Sequence, residues 1–212
     1  KSITVLKGAA GTTLYRSRAT KGVIIITTKK GEIKAKGNAE ISVASSVGFE
    51  SPLRLVKYQN EFGQGIHGDA VMYENMSWGP RFDELERIWG NKVDKAYRIK
   101  PFRGLNNNVK EFFDVGRTYN NSISISGGNE QQTYYLSYSN LTADGIFPTD
   151  ADSYNRNTIS LRSSYTISDK FETSGSLNYI NKKNSYVPTG QGEQSVYNQI
   201  MQTPRDISLL EL

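Results

Sequence analysis

The stretch Asn157–Ile167, NTISLRSSYTI, alternates apolar with small polar residues along its whole length. Successive side chains of a β-strand point to opposite faces, so the pattern predicts a strand with one apolar and one polar face. The first of these faces carries Ile159, Leu161, Ser163, Tyr165 and Ile167.

The same period of two recurs in four further stretches of about ten residues, the length that a tilted transmembrane strand needs. These are Asn38–Phe49, Tyr119–Gly128, Thr133–Thr142 and Phe171–Ile180. Their polar positions are mostly Ser, Asn and Thr, which suits a water-filled lumen better than a charged protein surface. Aromatic residues stand near strand ends, as they do in membrane interface girdles, at Tyr119, Tyr134, Tyr165, Phe171 and Tyr179.

These features predict a mainly β protein, a membrane-spanning antiparallel β-barrel of which about five strands are present. Five strands are too few to close a barrel in lipid, so we expect the chain to be part of a larger polypeptide or assembly. A soluble β-sandwich, for example an adhesin, shows the same alternation and remains an alternative.

The connections between the predicted strands alternate between long and short. The first runs from about Glu50 to Arg117, whereas GGNEQQ, at 127–132, is tight. A medium loop follows at 143–155, then the tight turn SDK at 168–170. Outer-membrane barrels have short periplasmic turns and long extracellular loops, so we predict that topology here.

The N-terminal residues 1–36 have a different character from residues 37–212. Ser2–Val5 predicts a short strand, and Leu6–Thr20 predicts a helix that ends before Gly22. Val23–Thr28 is continuous β-branched sequence, which is typical of a strand buried on both faces. We therefore predict that residues 1–36 end an α/β domain and that residues 37–212 form barrel strands and their loops.

Composition excludes several kinds of site. The chain has no cysteine and a single histidine, His67, so we expect no disulfide, no metal site and no cofactor. Its formal charge is +5, and nine Lys and Arg residues fall within residues 1–36. We interpret this basic end as a solvated turn and helix face and expect no nucleic-acid partner.

Candidate site residues are few. Trp78, Arg81 and Trp89 are weak candidates for substrate binding, because aromatic faces suit sugar surfaces. Arg81 is expected to pair with Asp83 or Glu84 and hold its loop.

The remaining polar residues do not predict an active site. His67 and Asp69 stand together in a glycine-rich loop, which is weak support for a metal. The carboxylate pairs Asp150 with Asp152 and Glu84 with Glu86 lie in predicted exposed loops, so no buried acid is expected. We therefore expect that the protein is not an enzyme.

Several stretches resemble SusC/RagA-type TonB-dependent outer-membrane transporters. VLKGAAGTTLYRSRATKGVIIITTKKG, at 5–31, is similar to the end of that family's plug domain, and SWGPRFD, at 77–83, to an element of its first long loop. NNVKEFFDVGRTYNNSISISGGNE, at 107–130, YYLSYSNLTADGIFP, at 134–148, and PRDI, at 204–207, continue the likeness in order.

The resemblance implies the end of a plug followed by the first strands of a barrel of about 22 strands. It also implies a multi-pass protein of the Gram-negative outer membrane, in contact with lipid, that imports an oligosaccharide or peptide. A SusD-like surface lipoprotein would cap the barrel, and TonB would act on a segment upstream of this chain. Alternatively, such a barrel serves as a structural subunit of a larger outer-membrane assembly without transport.

Overall fold

The computed structural model describes residues 2–7, 13, 16, 22–33 and 38–210, without the side chains of 89–91. The described strands are β1 Ser2–Leu6, β2 Val23–Thr27, β3 Glu40–Glu50, β4 Glu86–Val93, β5 Ala96–Pro101, β6 Gly116–Gly128, β7 Gln132–Asp144, β8 Ser153–Ser168 and β9 Phe171–Asn184. The described helices are α1 Asn108–Phe112 and α2 Val196–Gln202. In this part of the chain, neither helix has the length and apolarity of a membrane-crossing helix.

An antiparallel sheet of five strands, in the order β3-β6-β7-β8-β9, is the largest element. All five predicted strands are confirmed, and each pairs with its sequence neighbour except where the long connection separates β3 from β6. Four of the strands have 13 to 16 residues and are longer than their alternating stretches, whereas β3 has 11. Neighbouring strands also contact each other beyond the predicted alternating stretches. On β8 and β7, for example, Asn155 Nδ2 donates to Thr142 Oγ1 at 3.0 Å.

The two faces of this sheet differ in the way that the alternation predicted. Large apolar side chains on one face are 41% to 72% exposed, and we call this the apolar face: Ile41, Val43, Ile123, Leu136, Ile159, Leu161 and Leu177. The other face carries mainly polar and small side chains, with serine the most frequent, and we call it the polar face. Large apolar side chains that are exposed together on one face of a sheet mark contact with lipid or protein.

The hairpin of β1 and β2 is antiparallel, with Val5 opposite Ile24. Both strands are confirmed, but Leu6, the predicted first residue of the helix, ends β1 instead. Apart from Thr13 and Arg16, residues 8–20 of that helix lie outside the described residues.

Burial of β2 on both faces is not seen among the described residues. Ile24 and Ile26 are 66% and 57% exposed, because β2 has only β1 as a neighbour there and a two-strand sheet covers neither of its own faces.

A second hairpin, β4 with β5, lies inside the long connection, where only a loop was predicted. Ile88 stands opposite Ile99, and the turn places Asp94 and Lys95 at positive φ, 52° and 65°. The strands are short and the turn has no glycine or asparagine, the usual residues at such positions, so the sequence signal was weak.

By internal contacts the chain divides into two compact units. The first comprises 1–45, 120–140 and 156–181, and contains the β1–β2 hairpin and part of every strand of the large sheet. The second comprises 46–119, 141–155 and 182–212, and contains the β4–β5 hairpin, both described helices and the remaining strand ends.

Candidate functional site

In the first unit, the segment that follows β2 lies on the polar face of the large sheet. Arg162, on β8, donates from Nη1 to the carbonyl oxygen of Lys29 at 2.7 Å and also to Thr28 Oγ1. Lys29 and Thr28 line a cleft of about 390 Å³ together with serines of β3, β6, β7 and β8. The N-terminal segment and the apolar face are therefore on opposite sides of the sheet.

Gly31 is seated against the backbone of β7. A Cβ atom at this position would lie 2.4 Å from the amide nitrogen of Tyr134 and 2.7 Å from its carbonyl oxygen. It would also lie 2.8 Å from the Cβ of Thr133. Backbone atoms cannot yield as a flexible side chain can, so only glycine fits here.

The long connection of the second unit is organised by close backbone packing. Gly65 has φ +138°, and a Cβ there would lie 2.0 Å from the carbonyl oxygen of Asp69. Gly79 packs against the backbone of the residue that precedes Gly65, since a Cβ at position 79 would lie 2.2 Å from the carbonyl oxygen of Gln64. Glycines in FGQG and SWGP therefore allow two chain segments to touch.

Arg205 is the buried centre of this unit, at 5% exposure. Its guanidinium donates to the carbonyl oxygens of Gln59 at 3.0 Å and Leu105 at 2.9 Å, and to Asn60 Oδ1 at 2.7 Å. It also stacks 4.9 Å from the ring centre of Tyr58. Burial lowers the pKa of Arg205, although an arginine stays charged in proteins.

Asp206 is equally buried and holds a different part of the long connection. Its Oδ1 accepts from the backbone N–H of Gln64 at 2.9 Å. Lys100 Nζ lies 3.8 Å from its Oδ2 and donates to its carbonyl oxygen. Arg205 and Asp206 together thus tie residues after β9 to both ends of the long connection.

Two of the three sequence-predicted site residues, Trp78 and Arg81, meet at the ring of Phe62, whose centre lies 5.7 Å from Arg81 Cζ. Trp78 is 61% exposed and its ring lies 6.2 Å from that of Phe62 in a tilted arrangement. The backbone of Trp89 lies in β4 opposite Arg98, and its side chain is outside the described residues. Substrate binding by Trp78, Arg81 or Trp89 stays a prediction.

The predicted partner of Arg81 was wrong. Arg81 Nη2 lies 2.7 Å from Glu61 Oε2, because an antiparallel bridge joins Phe62 to Arg81 and brings the two side chains together. Asp83 binds Arg87 instead, and this hydrogen bond lowers the pKa of the Asp83 carboxyl below its ordinary value of 3.8.

The other candidate groups serve the loops in which they occur. Asp152 Oδ1 accepts from the backbone N–H of Phe147 at 3.3 Å and so closes the loop after β7. His67 lies in a turn, and both His67 and Glu84 have a left-handed backbone, with φ of 56° and 60°. Among the described residues, no three His, Asp or Glu side chains are grouped so that they would hold a metal ion.

A polar cleft of about 590 Å³ lies beside this loop structure. It is lined by asparagine amides together with Glu84, Arg103, Glu111 and the ring of Phe82. Amide, carboxylate and guanidinium groups next to an aromatic ring offer hydrogen bonds and a stacking surface to a hydroxyl-rich or peptide ligand.

Sequence reasoning missed Arg162, Arg205 and Asp206 as organising residues. Arg162 has a signal in the sequence, because it is a large charged residue at a polar-face position where the neighbouring strands carry serine. Arg205 and Asp206 lie in the motif PRDI, which contains no local pattern that predicts the burial of their side chains.

The comparisons with known proteins agree with this architecture. The chain is 28% identical over 190 residues to the TonB-dependent receptor SusC of Bacteroides thetaiotaomicron, covering 90% of this chain and 17% of that protein. It is 27% identical over 212 residues to the TonB-dependent receptor P26 of Formosa agariphila, covering 94% of this chain and 19% of that protein. No protein-family model matches the chain.

These similarities confirm the resemblance drawn from the motifs. The chain is a SusC-like, mainly β segment, and its open five-stranded sheet is consistent with part of a TonB-dependent receptor barrel. It spans less than a fifth of the length of the two curated relatives described above.

Proposed function

We propose that this chain forms the end of the plug and the first wall strands of a TonB-dependent transporter in the Gram-negative outer membrane. The single observation that carries the proposal is the two-faced sheet. Exposed apolar side chains cover one face, and the segment after β2 lies against the serine-rich opposite face. Lipid outside and a plugged, wet lumen inside account for both faces.

The transported nutrient is an oligosaccharide or a peptide. In support, the polar cleft in the second unit carries amides, two carboxylates, a guanidinium and an aromatic ring. By resemblance, a SusD-like lipoprotein covers the extracellular side and TonB drives the import. The protein carries out no catalysis in this proposal.

The test is uptake by cells that produce the intact protein. Radiolabelled oligosaccharides and peptides are offered in a panel, with and without a functional TonB and with and without a SusD-like lipoprotein. Import of at least one compound that requires TonB supports the proposal.

The competing role is that of a structural subunit in a larger outer-membrane assembly. Co-purification of the intact protein with several unrelated envelope proteins, together with no TonB-dependent uptake from the panel, would favour it over import.

A further inference from the structure

The connection between the N-terminal segment and the large sheet is held at two neighbouring points. At the first, Arg162 Nη1 donates to the carbonyl oxygen of Lys29 at 2.7 Å and to Thr28 Oγ1. At the second, Gly31 is pressed against Tyr134 so closely that its Cβ would lie 2.4 Å from the amide nitrogen. The peptide bonds on either side of Lys30 lie between these two points.

We propose that Arg162 and the seat of Gly31 form a fastening that fixes the end of the plug to the wall at rest. The inference rests on the proposed function, in which these two parts are the plug and the barrel wall. The fastening itself is a contact within the first unit. Its chemistry is a charge-assisted hydrogen bond to a backbone carbonyl combined with a close backbone packing.

The reason to assign a fastening here, and not at any other contact, is the geometry of the chain. β1 and β2 pair only with each other among the described residues, so their hairpin gains no strand neighbour from the large sheet. Backbone hydrogen bonds between strands therefore do not join this hairpin to the large sheet among the described residues. The hydrogen bonds that Arg162 donates to Thr28 and Lys29 make the connection instead. Arg162 is therefore a positioning residue for the plug segment.

Trypsin provides a direct measurement, because it cleaves after Lys29 and Lys30. A protease needs a locally released backbone, and in the fastened state these bonds are held on both sides. The purified intact protein is digested in detergent, and cleavage at these bonds is followed by mass spectrometry. Cleavage that follows local opening reports the population of the released state.

Arg162→Ala should speed cleavage after Lys29 and Lys30 roughly tenfold, since it removes a hydrogen bond from a charged donor. Arg156→Ala is the matched control, because Arg156 is an arginine of β8 with the same strand parity and should leave the rate unchanged. Arg162→Lys supplies a charged donor but lacks the planar guanidinium, so its cleavage rate should lie between those of the other two variants.

The second point is tested with glycines. Gly31→Ala should also speed cleavage, because the added methyl group meets backbone atoms of Tyr134. Gly175→Ala is its control, since a Cβ there has no heavy atom within 4 Å among the described residues. If Arg162→Ala prevents insertion into the membrane, Thr28→Val removes one acceptor of the same contact and should give a smaller increase.

Cleavage at the rate of the unaltered protein in both Arg162→Ala and Gly31→Ala would overturn the fastening, and normal import in those variants would leave the proposed function standing. Faster cleavage in both variants, in a protein that imports nothing from the panel, would leave the fastening standing and remove the import proposal.

Discussion

Arg205 and Asn60 are joined by two hydrogen bonds, from Nε at 3.1 Å and from Nη2 at 2.7 Å to the same side-chain oxygen. They stand 145 positions apart in the chain. Because Arg205 also binds the backbone carbonyls of Gln59 and Leu105, its removal takes a charged donor from three acceptors. Of these three, the carbonyl oxygen of Leu105 keeps a second donor, the N–H of Asn108. A buried acceptor without a partner is costly.

We therefore expect Arg205→Ala to destabilise the second unit by about 3 kcal/mol, from the lost charged hydrogen bonds and the unpaired acceptors. Hydrogen exchange of amides in 58–65 and 102–108 of the intact protein measures this. Arg103→Ala, at an exposed position of the polar cleft, is the control. Equal exchange in both variants would contradict the central role of Arg205.

The apolar face makes a prediction about lipid. Leu161 lies near the middle of β8 and is 41% exposed on that face. In a transmembrane strand, an arginine near the bilayer midplane costs about 2–4 kcal/mol. Leu161→Arg should lower the folded fraction in lipid vesicles, measured by heat-modifiable migration on gels. Ser160→Arg, on the polar face, should have a much smaller effect, and the reverse ranking would exchange the two faces.

The topology prediction concerns which loops face outwards. Gly68 lies in the long connection, and a Cβ there has no heavy atom within 4 Å among the described residues. A short epitope inserted after Gly68 should bind antibody on intact cells, whereas one in the turn 129–131 should bind only after the outer membrane is permeabilised. A second insertion after Gly190 should behave like the first. Labelling in the opposite order would invert the topology.

The ion pair of Asp83 with Arg87 predicts a pH dependence. The pKa of Asp83 is lowered in the folded protein, chiefly by the hydrogen bond from Arg87. A lowered carboxyl pKa adds stability above the unfolded value, and that stability is lost as the pH falls through the folded value.

Asp83→Asn should therefore weaken the local structure around β4 and β5 at pH 7. The difference from the unaltered protein should shrink as the pH falls below about 4, where the carboxyl of the unfolded chain is protonated. Thermal unfolding followed by tryptophan fluorescence at both pH values measures this. Asp150→Asn, in an exposed loop, is the control, and a difference that persists at low pH would exclude the charge as its cause.

The sequence predicted the large sheet well because its signal is local. Alternation along each strand decides which face of the sheet each residue lies on. The short turns decide which strands lie next to each other. The β4–β5 hairpin escaped because its strands are short and its turn uses Asp94 and Lys95 at positive φ without a glycine. Ile88 lies opposite Ile99 in this pair, and both side chains are mostly exposed.

The buried polar centre escaped for a different reason. Arg205 and Asp206 bind groups near residues 60 and 105, and no pattern within a short window connects such distant positions. The wrong pairing of Arg81 has the same origin, since Glu61 reaches it through a backbone bridge between segments about twenty residues apart. Local charge spacing favoured Asp83 and Glu84, but tertiary contacts decided the outcome.

The last prediction concerns the N-terminal hairpin. Ile3, Val5, Ile24 and Ile26 lie on one of its faces and are 54% to 66% exposed. In the proposed transporter this face is covered inside the barrel, where it helps to seal the lumen. Ile24→Asp would place a carboxylate opposite Val5 on this covered face of the hairpin. Burying an unpaired charge is strongly unfavourable.

The carboxylate should therefore loosen the plug and admit solutes that the outer membrane normally excludes. Cells that produce the intact variant should become sensitive to vancomycin, at an amount of protein in the membrane equal to that of the unaltered form. Thr27→Asp is the control, since Thr27 lies at the strand end with the opposite parity to Ile24. A variant with Ile24→Asp that remains tight to vancomycin and still imports would show that this face of the hairpin is not buried, and the plug would need a different sealing element.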